Sequence, residues 1–152
     1  MVLSLDRPEK GNAIHPQTLN EMAFALQYAH DKAKIWAIVL QANGKTFCAG
    51  GDLDVVRGKI SPHNSSIPEV SLAILIAEML TGDYKPIVSK VVGDVYASGY
   101  LFLACSTDVI AADHLQFGLP EAKRGLFPMQ VNGSIIAGNA STACLGLEHS
   151  WL

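Results

Sequence analysis

The chain has 152 residues, 49% of them hydrophobic and only 16% charged, enough for one domain of ordinary size and too little for two comfortable ones. That apolar share excludes a disordered chain, and a net charge of −3 from 11 Lys and Arg against 14 Asp and Glu supplies no basic excess for holding nucleic acid. Cys48, Cys105 and Cys144 are odd in number, widely spaced and free of any C-x-x-C or zinc pattern, so free thiols in a reducing compartment are expected.

Along the chain, residues 2–5 read as the end of a strand and Arg7-Pro8-Glu9-Lys10-Gly11-Asn12 as a turn. His15-Pro16 opens a helix, with proline early enough that its missing N–H does no harm. Leu19, Met22, Ala23 and Leu26 recur at helical spacing and should bury one face. Residues 35–40 form a short β-branched run, read as a buried strand with Trp36 in the core, and Asn43-Gly44-Lys45 ends it as a turn. A Gly, Ser and Pro-bearing loop over 57–68 precedes a second helix over 69–80. Strands follow at 86–92, 108–112 and 116–118, with a short helix containing Leu101, Phe102, Leu103 and Ala104 between the first two. This alternation predicts an α/β fold with a largely parallel sheet.

The opening MVLSLDRPEK carries charge within six residues and has no apolar h-region, unlike a signal peptide. The most apolar run, 70–80, is interrupted by Glu78 and is too short to span a bilayer. A soluble protein of the cytoplasm or an organellar matrix is expected, not secreted, with no membrane or nucleic-acid partner. From 125 to 152 the only formally charged residue is Glu148, so 129–152 is expected to be an atypical, poorly packed tail on a core over 1–128.

Two glycine turns and one carboxylate could carry chemistry. Gly50-Gly51-Asp52 and Ser98-Gly99 each follow a strand or turn, where glycine lets a backbone amide approach a ligand closely. Two convergent N–H groups would make an oxyanion hole for a carbonyl that gains negative charge. From spacing alone both read more readily as ordinary turns, and Asp52 reads as a helix N-cap as much as a ligand contact. Glu121 follows Pro120; shielded by Phe117, Leu119 and Phe127 it could carry a proton near neutral pH, and exposed it would pair with Lys123 or Arg124. The histidines, 15, 30, 63, 114 and 149, share no metal-ligand spacing, so no metal is expected. Cys48 reads as a small packing residue.

Four segments in order resemble the crotonase superfamily, the enoyl-CoA hydratase/isomerase family, over residues 3–128. They are Leu5-Asp6-Arg7-Pro8-Glu9-Lys10-Gly11-Asn12-Ala13, Phe47-Cys48-Ala49-Gly50-Gly51-Asp52-Leu53, Ala97-Ser98-Gly99-Tyr100 through Asp108, and Phe117-Gly118-Leu119-Pro120-Glu121 through Gly125-Leu126-Phe127-Pro128. The resemblance implies a ββα spiral fold that takes acyl-CoA thioesters. It also implies that the Gly51 and Gly99 amides grip the thioester oxygen, that Ala49, Asp52 and Leu53 line the coenzyme A site, and that Glu121 is the catalytic glutamate. No cofactor is implied beyond the coenzyme A of the substrate. Trimers or hexamers are the family's assemblies, and they depend on C-terminal helices.

The sequence departs from the family at three places. Hydratases of the family use a second glutamate six residues before the aspartate matched by Asp108, and that position is Phe102. No carboxylate lies anywhere in 97–107, so isomerase-like chemistry with a single glutamate is favoured over hydration. Tyr100 is bulky where the family commonly has glycine, which would narrow the pocket. Residues from Met129 onward do not match the family's C-terminal helices, so a truncated member lacking that part is expected. A non-catalytic acyl-CoA binder or inactive fragment is the alternative. A serine hydrolase using Ser98 is weaker, because Val95-Tyr96-Ala97-Ser98-Gly99 lacks the first glycine of G-x-S-x-G.

Overall fold

The computed structural model describes residues 1–56 and 85–120, with the Val56 side chain left out. The loop and helix expected over 57–80, and everything from Glu121 onward, lie outside the described residues. Elements are numbered among those described: β1 (Val2–Leu5), α1 (Pro16–Asp31), β2 (Ile38–Ala42), β3 (Thr46–Cys48), α2 (Leu53–Val56), β4 (Ile87–Val91), β5 (Asp94–Tyr96), α3 (Tyr100–Ala104), β6 (Asp108–Ala111) and β7 (Phe117–Gly118). Short 3-10 turns lie at Pro8–Lys10 and at Ala97–Gly99, the second leading directly into α3.

The strands form two sheets, one of order β1-β2-β4-β6 and one of order β3-β5-β7, and every pairing is parallel. The expected parallel α/β architecture is present, divided into two sheets. In the larger sheet Ile38, Leu40 and Ala42 of β2 alternate inward with Ile87, Ser89 and Val91 of β4, the period-2 pattern of strands with one face on a core. Buried Ser89 is satisfied by the Ser106 hydroxyl at 2.7 Å, and Ser106 Oγ also donates to the Phe102 carbonyl at 2.7 Å.

The long helix α1 starts as its sequence predicts. His15 is the N-cap and its Nδ1 accepts the Gln17 N–H at 3.1 Å, with Pro16 in the first turn. Leu19, Met22, Leu26 and Ala29 are buried, and Ala23 packs beside them. At the other end the Lys85 ammonium donates to the carbonyls of Ala29 and Lys32, at 2.6 and 2.5 Å, meeting orphan acceptors of the last turn.

One apolar cluster joins both sheets. Leu5, Leu40, Ile87 and Val91 share it with Leu19, Met22, Leu26 and Ala29 of α1, and the same cluster includes Phe47, Cys48 and Val95 with Leu101, Phe102 and Cys105. The smaller sheet therefore presents its inward residues to the core that the larger sheet and α1 build. Its loops are held by the same packing.

Trp36 corrects the sequence reading. It is 82% exposed, and the strand begins only at Ile38. The chain is still turning after α1, with the Ile35 N–H donating to the Lys32 carbonyl. The strand's bounds are set by its partners: Ile38 pairs with Ile87, and Ala42 with Leu5.

Candidate functional site

The loop after β3 and the turn after β5 come together because only glycine fits between them. A Cβ on Gly99 would stand 2.9 Å from both the Cβ and the carbonyl oxygen of Cys48. A Cβ on Gly50 would stand 2.5 Å from that of Ala97. Gly50 has φ +96°, and Ala97 itself sits at φ +53°, a left-handed conformation that costs a non-glycine residue about 1–2 kcal/mol. The two glycine turns named from sequence are thus packed against each other, with local strain of the kind that surrounding structure must hold in place.

Gly51 is set by its neighbours. The Ile14 N–H donates to the Gly50 carbonyl at 2.7 Å, and the Asp52 N–H donates to the Ile14 carbonyl at 3.0 Å. Ile14 thus makes a one-residue parallel bridge to Gly51. In that pattern the bridged residue turns its own N–H and C=O away from its partner. The nearby amides are engaged: Ala49 N–H with the Gly11 carbonyl at 2.9 Å, Gly50 N–H with Cys48 Sγ at 3.5 Å, and Asp54 N–H with Asp52 Oδ1 at 3.0 Å. The Gly51 amide meets no acceptor among the described residues, and Gly51 is exposed.

Asp52 is buried and its carboxylate is fully engaged. Oδ1 caps α2 through Asp54, and Oδ2 accepts from the Arg7 guanidinium at 3.1 Å. Burial raises its pKa, but the Asp54 N–H, the Arg7 hydrogen bond and charge, and the nearby His15 outweigh it and hold the carboxyl below its ordinary value. Ala49 lies exposed before Gly50, and Leu53, the first residue of α2, is half exposed. Cys48 is buried and its thiol is pushed up to about 11 by desolvation, partly offset by the Gly50 N–H, consistent with a packing role.

Gly99 is buried at the start of α3. Tyr100 follows it, half-buried, with its ring 6.4 Å from that of Phe117 and tilted by 58°. Phe102 points into the core and is fully buried. Glu121, with Lys123, Arg124 and Phe127, lies outside the described residues. His15 is used as a cap, and His114 is exposed beside Asp113. No cluster of metal-ligating side chains occurs among the described residues, and no helix among them is long and apolar enough to cross a membrane.

The profile of the enoyl-CoA hydratase/isomerase family matches residues 1–139. The chain belongs to that family. Among its relatives, a carnitinyl-CoA dehydratase of Salmonella arizonae is 33% identical over 127 residues, covering 83% of this chain and 47% of the relative. A mevalonyl-coenzyme A hydratase of Aspergillus fumigatus is 26% identical over 135 residues, covering 83% and 46%. In structure, an enoyl-CoA hydratase/isomerase (crotonase) from Legionella pneumophila superposes with a TM-score of 0.76 at 26% identity, over 97% of this chain and 58% of that one. An enoyl-CoA hydratase from Mycobacterium smegmatis superposes with a TM-score of 0.79 at 24% identity, a likeness of fold. The chain spans about half the length of the curated relatives it matches. Its parallel two-sheet core is the crotonase fold.

Sequence reasoning took residues 7–12 only as a turn signature. In the structure Arg7 bonds to Asp52, the residue after Gly51, and Asn12 bonds to Arg7 and to the turn between β2 and β3. Asn12 is buried at φ +54°, accepts the Arg7 N–H at 2.7 Å, and donates to the carbonyls of Asn43 and Thr46 at 2.8 and 2.7 Å. Asparagine tolerates this conformation better than most residues. Its place after Gly11 was the available signal.

Proposed function

We propose that this chain binds an acyl-CoA thioester and stabilises its enolate through the Gly51 and Gly99 amides. The observation that carries the reading is the Gly51 N–H, uncommitted among the described residues, in a loop packed by glycine contacts against the turn that bears Gly99. Family membership supports the substrate class. Ala49 and Leu53 would line the coenzyme A site by their exposed faces, while Asp52 would shape that wall through its backbone and its helix cap.

The favoured reaction is double-bond migration with Glu121 as the single base. Its carboxylate takes a proton from C2 of a 3-enoyl-CoA. The electron pair delocalises onto the thioester oxygen, where two N–H donors would stabilise it. The Glu121 carboxyl exchanges its proton with solvent and delivers one proton to C4, which leaves a 2-enoyl-CoA, so atoms and charge balance. Hydration requires a positioned water as well as proton transfer, and Phe102, fully buried in the core, supplies no second carboxylate. The missing carboxylate also favours the second reading, a thioester binder without catalysis.

The test is deuterium exchange from solvent into C2 and C4 of a 3-enoyl-CoA, with double-bond migration followed in the same assay. Exchange in the intact chain and its loss in Glu121→Gln, by roughly 100-fold or more, supports the single-glutamate reading. Binding without exchange supports the non-catalytic binder. Neither binding nor exchange sinks both.

A further inference from the structure

We infer that Arg7 is a positioning residue, whose guanidinium holds the Gly51 amide in the orientation that receives the thioester oxygen. The inference rests on the proposed oxyanion role of Gly51 and adds the means by which the loop is aimed.

Arg7 reaches the loop by two routes. Its Nη2 donates to Asp52 Oδ2 at 3.1 Å, one residue beyond Gly51. Its Nη1 donates to the Ala13 carbonyl at 3.0 Å, one residue before Ile14. Ile14 is the residue whose N–H and C=O bond to Gly50 and Asp52 on either side of Gly51. One planar guanidinium therefore ties together the two segments whose pairing turns the Gly51 N–H outward, and its fork geometry suits two fixed acceptors.

The other side of Arg7 is anchored as well. Its backbone N–H is held by the Asn12 side chain, which in turn grips the turn between β2 and β3. Among the described residues the two oxygens of the Asp52 carboxylate serve Asp54 and Arg7. Arg7 is only about one-third exposed at its side chain and Asp52 nearly closed off, so the pair is less screened than a surface ion pair. An amide displaced by about 1 Å from its carbonyl loses much of its electrostatic effect, and misplacements of that size cost roughly 100-fold in rate.

The readout is the carbonyl stretch of 13C-carbonyl butanoyl-CoA bound to the full chain, by difference infrared spectroscopy, with affinity measured beside it. A polarised carbonyl absorbs at lower frequency. The expected result is a downshift in the intact chain, a smaller one in Arg7→Gln, and partial recovery in Arg7→Lys. Thioester affinity should change less than about 5-fold, and proton exchange should fall roughly 10-fold or more. Asp52→Asn keeps an oxygen for Asp54 while losing the charge pairing, and should reduce the downshift in the same way; it decides the matter if Arg7→Gln does not fold. Full downshift in both Arg7→Gln and Asp52→Asn overturns the positioning role and leaves the oxyanion reading intact. Binding without any downshift in the intact chain overturns the oxyanion reading and this inference with it.

Discussion

At the scale of single residues, the loop around Gly51 depends on groups that do no chemistry themselves. Asp52 is the clearest case, being buried, doubly bonded and held below its ordinary pKa. A carboxyl lowered on folding stabilises the protein while it is ionised. That contribution is complete above the unfolded carboxyl's pKa of about 3.9 and is lost as pH falls through the lower folded value. At neutral pH, Asp52→Asn should therefore cost about 1.5–3 kcal/mol, the range for a hydrogen bond to a charged group. Urea titrations across pH test this: the gap between the two proteins should shrink on acidification, and a constant gap would rule out the ion pair as its source.

At the scale of elements, legibility followed length. Helix α1 has 16 residues and an early proline, and its apolar spacing named Leu19, Met22 and Leu26 correctly. Strands β3 and β5 have three residues each, too few to show a period, and neither was anticipated. Strand β2 was anticipated a few residues early, because a β-branched run marks strand character and only pairing fixes its ends. The C-terminus of α1 offered no glycine stop; its carbonyls are met by Lys85, more than 50 residues away. Lys85→Met should cost about 1–3 kcal/mol, since it leaves charged-donor contacts unmade. Amide exchange in the last turn of α1 should rise in this variant, and unchanged exchange there would remove the capping role.

At the scale of the molecule, stability should be graded across the larger sheet. Among the described residues, β2 and β4 are paired on both sides, whereas β1 and β6 are paired on one side and β6 is largely exposed. Native-state hydrogen exchange should find β2 and β4 slowest, with β6 at least roughly tenfold faster. Equal rates would mean that the sheet opens only as a whole. The class of fold, the α1 face and the two glycine turns are legible along the chain, because hydrophobic period and glycine's freedom are local properties. The burial of Phe102 in the core was not legible there. Only the tertiary structure decided that the glycine turns meet, that Ile14 bridges Gly51 and leaves its amide free among the described residues, and that Arg7 closes on Asp52. Those contacts join residues about 40 positions apart or more, and no local pattern records a partner that parallel pairing brings from another part of the chain.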